Sequence, residues 1–148
     1  MYGLLTDSPV DMDKLTASIR SHEGCKLFPY KDSTGNLTIG WGTNLNAGIT
    51  IDEAAYLLGN RIKSVIREAE AQDWWQRVSD NDARARAMCE IIFNIGLSRL
   101  NGFAKALAAL RAGDFDTCAA ELLDSLWHQQ VGKRAEVLAA MIQTGTDA

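Results

Sequence analysis

Near the start of the chain, within the segment HEGCKLFPYKDSTGNLTIGWG that runs from His22 to Gly42, stand a glutamate, then eight residues, an aspartate, then five residues, a threonine: Glu23, Asp32 and Thr38. Cleavage of a glycosidic bond requires one carboxylic acid to protonate the leaving oxygen and a second polar group to place a nucleophile at the anomeric carbon. Two carboxylates and a hydroxyl supply those groups. Each residue also has an ordinary structural reading. Glu23 could be a solvated helix-end acid, Asp32 a turn-capping side chain, and Thr38 a strand former. Only the three together point to chemistry.

The elements that must position them are legible on either side. Ser8-Pro9-Val10-Asp11 carries an N-cap residue, a proline at the first helical position and an acid in capping-box register. With Met12, Leu15 and Ile19 as an apolar stripe, this predicts a helix over residues 9–22, ended by Gly24. Glu23 then lies near the negative end of the helix dipole, a place that disfavours a further negative charge. From Leu27 to Leu45 the apolar period changes to two, which predicts a small antiparallel sheet with its hairpin turn at Ser33–Asn36. Asp32 and Thr38 flank that turn.

Thr50-Ile51-Asp52-Glu53 is a second capping box, followed by a helical stripe from Ala54 to Ala69. The remainder is punctuated as helices. Asp80 or Asn81 caps one that ends at Gly96, and shorter ones span residues near 102–112 and 116–125. A last one runs from Val131 to Ile142 and closes at Thr144-Gly145. The expectation is a single α+β domain over 1–148, with a mixed β lobe at 24–50, a long connecting helix at 51–72, and a helical lobe at 73–148 joined by the 9–22 helix.

Composition excludes several classes. The 148 residues are 47% apolar and 23% charged, as in soluble globular domains. No apolar run approaches the roughly 20 residues of a spanning helix, so no membrane anchor is expected. The N-terminus, MYGLLTDSPVDMDK, lacks a basic start and an apolar stretch of signal-peptide length; the chain is expected to stay inside the cell or to leave by a route it does not encode. A formal charge of −4 argues against nucleic-acid binding, which relies on phosphate neutralisation by Lys and Arg. Cys25, Cys89 and Cys118 are odd in number and lack Cys-x-x-Cys spacing, so neither a disulfide framework nor a zinc site is expected. His22 and Cys25, with Gly24 between them, do not make a nucleophile and base. Neither histidine has a metal partner at helical spacing. No metal and no cofactor is implied.

The pattern Glu-Gly, Tyr-x-Asp, Gly-x-x-Thr-Ile-Gly-x-Gly in His22–Gly42 resembles the active-site segment of the phage-type lysozymes (endolysins), the muramidases of glycoside hydrolase family 24. The resemblance continues through Ile92-Phe93-Asn94-Ile95-Gly96, Gly102-Phe103, Trp127 to Gly132, Arg134-Ala135 and Thr144-Gly145-Thr146. It implies a lysozyme-like α+β fold of two lobes, with the polysaccharide across the cleft between them and the long helix at its back. The implied reaction is hydrolysis, with inversion, of the β-1,4 bond between N-acetylmuramic acid and N-acetylglucosamine in peptidoglycan. Glu23 would be the acid, Asp32 and Thr38 would hold and activate water, Arg134 would support Glu23, and Asn44, Phe93 and Asn94 would bind substrate. A monomer is implied, waiting in the host cytoplasm, dependent on a holin, and acting on the wall from the periplasmic side during host cell lysis.

The chain departs from the family pattern at Thr43, where a histidine is common, at His22, where an acid is frequent, and at Ala106 and Glu121, where small polar or amide groove residues are expected. Its acidic balance weakens attraction to an anionic wall. The rival readings are a lytic transglycosylase, which needs only the glutamate, and a non-catalytic peptidoglycan-binding or tail-associated module.

Overall fold

The computed structural model describes residues 8–148. The part of the N-terminal stretch before Ser8, considered above for a targeting signal, lies outside the described residues. Backbone contacts divide the chain into two compact units, one ending at Ala54 and one spanning Ala55–Ala148. The first helix is thus grouped with the sheet, whereas the sequence grouping joined it to the helical lobe.

In the first unit, helix α1 covers Met12–Glu23. It starts later than the expected residue 9 because Asp11, not Ser8, is the cap: the Asp11 carboxylate accepts from the Lys14 amide at 3.0 Å, while the Ser8 hydroxyl is used two residues on by the Val10 amide at 3.2 Å. Gly24 ends the helix at φ 67°. Strands β1 (Lys26–Lys31), β2 (Leu37–Gly40) and β3 (Thr43–Asn44) form an antiparallel sheet in that order. Tyr30 pairs with Thr38, Thr38 with Asn44, and Ile39 with Thr43. The β1–β2 ladder is irregular between Lys26 and Tyr30. Pro29 lies there on an edge strand and has no amide to donate.

Helix α2, Ile51–Glu70, begins in this unit and continues into the next. The Thr50 hydroxyl accepts from the Glu53 amide at 3.2 Å, as the capping box required.

The second unit holds six further helices: α3 (Asp82–Ile95), α4 (Leu97–Asn101), α5 (Ala104–Arg111), α6 (Phe115–Leu123), α7 (Leu126–Val131) and α8 (Lys133–Thr144). Asn81 caps α3 by accepting from the Arg84 amide. Two features escaped the sequence reading. The short α4 follows the Gly96 stop at once, and the expected 131–142 helix is broken by Gly132, at φ 55° and ψ −119°, between α7 and α8. Packing is dense where α6 meets α5 and α8 and where α3 meets α8. Trp74, Met88, Ile91, Ile92, Leu110, Trp127, Leu138 and Ile142 are fully buried there. Burial, then the nearby Asp114, pushes the Cys118 thiol up to about 12, so that side chain behaves as a small apolar residue.

The α6–α7–α8 corner carries a polar clasp. One ring nitrogen of His128 lies 2.9 Å from the Leu123 carbonyl and the other 3.2 Å from the Glu136 carboxylate. First the Glu136 bond and then the Leu123 carbonyl raise the pKa of this histidine. A histidine with a raised folded pKa contributes stability that is complete below its unfolded value and is lost as pH rises through the folded one. The melting-temperature gap between wild type and His128→Gln is therefore expected to be widest near about pH 6 and to close in the alkaline range, the unfolded histidine titrating near about 6.5. In the core, Ile91→Ala is expected to lower unfolding free energy by about 2–5 kcal/mol in denaturant titration.

Candidate active site

Glu23 is the last residue of α1, immediately before the Gly24 stop. Its carboxyl group lies against the β2–β3 connection. A Cβ built on Gly42 would stand 3.0 Å from Glu23 Oε2 and 3.2 Å from its Cδ, and Gly42 has φ 83°. Position 42 favours glycine for that backbone angle, and an added Cβ would also press on the end of the Glu23 side chain. A second contact ties the same pieces together, with the Arg20 guanidinium of α1 over the Trp41 ring at 4.5 Å.

Asp32 follows β1 and organises the hairpin. Its amide donates to the Asn36 carbonyl at 2.9 Å, its carbonyl accepts from the Gly35 amide at 3.0 Å, and Gly35 takes φ 85°. Its Oδ1 accepts from the Thr34 amide at 2.9 Å, the Thr34 hydroxyl at 2.9 Å and the Asn36 amide at 2.8 Å. The Asn36 amide first, and then the Thr34 hydroxyl, hold this carboxyl below the usual carboxylate range. These bonds favour the charged form of the Asp32 carboxyl.

Thr38 is the one buried polar residue among the described residues, 3% exposed. Its hydroxyl donates to the Asn36 carbonyl at 3.0 Å. Asn36 therefore links the two residues, with its amide on Asp32 and its carbonyl on Thr38. Asn44 pairs with Thr38 across the β2–β3 ladder, and its side chain accepts from the Asn46 amide at 2.9 Å.

The remaining candidates belong to the second unit. Asn94 accepts from the buried Trp127 indole at 2.8 Å, which assigns its oxygen a structural partner and makes Trp127 a core residue. Phe93 and Arg134 line a groove of about 820 Å³ with an apolar floor of Leu58, Ile62, Ile66 and Cys89. Arg134 Nε donates to Glu90 at 3.1 Å. Ala106 is 2% exposed within the helical core, so it offers no groove surface.

The sequence reading missed Thr34, Asn36 and the Arg20–Trp41 contact. The hairpin signal Asp-Ser-Thr-Gly-Asn was visible, yet it named a turn and not the three donors on one oxygen. Among the described residues, no group of three or more His, Cys, Asp or Glu could hold a metal ion.

A helix-end carboxyl against a glycine turn stands in the same unit as an aspartate and a buried hydroxyl joined through one asparagine, on an α+β, lysozyme-like scaffold. The model of the phage lysozyme family matches residues 20–143, and the chain belongs to that family. It is an enzyme of the lysozyme class, a hydrolase of peptidoglycan. It is 24% identical to probable T4-type lysozyme 2 of Dictyostelium discoideum over 91% of this chain and 96% of that protein. Identity to an endolysin of Acyrthosiphon pisum secondary endosymbiont phage 1 is 30%, over 78% of this chain and 80% of that one. The pre-baseplate central spike protein Gp5 of Enterobacteria phage T4 is 26% identical over 95% of this chain, which spans 30% of that protein.

Gly42→Ala tests the Glu23 approach. The added methyl group and the left-handed backbone are expected to lower kcat by roughly 10- to 100-fold and unfolding free energy by about 1–3 kcal/mol. Wall-clearing kinetics and thermal denaturation of the purified variant measure both.

Proposed function

We propose that the enzyme hydrolyses the β-1,4 bond between N-acetylmuramic acid and N-acetylglucosamine with inversion at the anomeric carbon. Glu23 protonates the leaving oxygen, and Asp32 with Thr38 holds and activates the attacking water. The observation that carries this reading is the contrast between two carboxyl groups in one small unit. Asp32 is clamped by turn donors that favour its charged form, whereas Glu23 lies at the carbonyl end of α1 against Gly42. Different environments assign different roles to chemically similar groups.

Asn44, Phe93 and Asn94 bind the glycan and Arg134 supports the acid; for these four the support is the resemblance of their sequence segments to the family pattern. As an endolysin the protein acts late in phage infection as a monomer, held in the host cytoplasm until a holin admits it to the wall. No helix among the described residues is long and apolar enough to cross a membrane. Likeness to a pre-baseplate central spike protein over nearly the whole chain favours one second reading, a wall-degrading module carried on the virion.

Glu23→Gln is expected to slow clearing of wall suspensions by roughly 10²- to 10⁴-fold with an unchanged circular dichroism spectrum. Full activity in that variant ends the proposal. Mass spectrometry of wild-type products separates hydrolysis, which adds water, from transglycosylation, which leaves a 1,6-anhydro end. NMR of the first-formed anomer reads inversion directly.

A further inference from the structure

The Asp32 carboxylate is held asymmetrically. Three donors converge on Oδ1, two of them from Thr34, and no hydrogen bond within the turn engages Oδ2. The Thr34 hydroxyl has a single proton and receives a bond itself, from Asn36 Nδ2 at 2.9 Å. With that lone pair occupied, its own proton is directed at Asp32, so the three side chains form a one-way relay, Asn36 amide to Thr34 hydroxyl to Asp32 Oδ1.

We propose that Thr34 is a positioning residue for the hydrolytic water, its hydroxyl, oriented by Asn36, fixing the rotation of the Asp32 carboxylate so that Oδ2 is the oxygen offered to that water. The inference rests on the reading of Asp32 as a water-holding base. A carboxylate with free rotation presents either oxygen over a range of angles, and reaction demands one narrow geometry. The backbone donors at Thr34 and Asn36 reach Oδ1 along the chain. The hydroxyl is the side-chain donor that converges on the same oxygen, and it is the one that substitution can remove. Its bond also favours the charged form of Asp32, so its loss brings protonation of the base to higher pH.

The test compares Thr34→Val with Thr34→Ser. In Thr34→Val the acid limb of the kcat–pH profile is expected to move to higher pH and kcat at its optimum to fall by roughly three- to tenfold, with KM unchanged. Thr34→Ser, which keeps the hydroxyl, is expected to restore both. The Asp32 carboxyl carbon, followed by NMR titration, should titrate at higher pH in the valine variant, a readout independent of turnover. Thr34→Ala replaces Thr34→Val if the valine side chain distorts the hairpin. An unmoved acid limb and titration in a folded variant lacking the hydroxyl, beside an inactive Asp32→Asn, overturns this inference and leaves the reading of Asp32 standing. A fully active Asp32→Asn overturns both.

Discussion

The Glu23 carboxyl lies directly against Gly42, a residue with no side chain. With 3.0 Å between Glu23 Oε2 and the position of a Gly42 Cβ, any other residue there would press on the carboxyl. That one approach fixes much else. It requires α1 to end at Glu23, which Gly24 achieves by leaving helical geometry at the next residue. It also requires the β2–β3 connection to turn through a positive φ at Gly42, which sets the Ile39–Thr43 pairing and with it the Thr38–Asn44 pairing. The Glu23 carboxyl and the buried Thr38 hydroxyl therefore both neighbour the same short connection.

The second constraint is electrostatic. Hydrogen bonds donated to a carboxylate favour its charged form. The hairpin supplies them locally, because the turn that reverses the chain also aims three donors at Asp32 Oδ1. Asn36 extends the arrangement to Thr38 through its carbonyl. A single five-residue connection thus sets the charge of one group and anchors the hydroxyl of another, without a metal cluster among the described residues.

How much of this was legible in the sequence follows from the range of the interactions. Features set by neighbours in the chain were readable: the Gly24 stop, the hairpin between β1 and β2, the Thr50 cap and the Gly96 stop all rest on residues within a few positions of one another. The start of α1 was misplaced because two caps competed, and Asp11 captured the Lys14 amide while Ser8 closed a tighter turn. The Gly132 break was missed because a helical apolar pattern runs across it, and only the positive φ interrupts the helix. Triplet spacing marked Glu23, Asp32 and Thr38 as candidates. It carried no sign of Gly42 as the seat of Glu23, a contact made across the sheet, nor of the orientation of one carboxylate oxygen.

The two units hold their structure by different means, and this bears on how function tolerates change. The helical unit contains nearly all the buried apolar side chains, including Trp74, Ile91, Trp127 and Leu138, whereas α1 has no buried residue and Thr38 is the one fully buried side chain of the sheet. Stability in the first unit comes from turns, caps and backbone pairing, each worth about 0.5–1.5 kcal/mol net, and not from a core whose truncations cost about 2–5 kcal/mol. A substitution at Thr34 or Asn36 therefore alters local hydrogen bonds of the turn, while one at Ile91 opens the buried core. Active-site geometry on such a unit depends on local hydrogen bonds, which explains why a three-donor clamp is built around a group as exposed as the Asp32 turn.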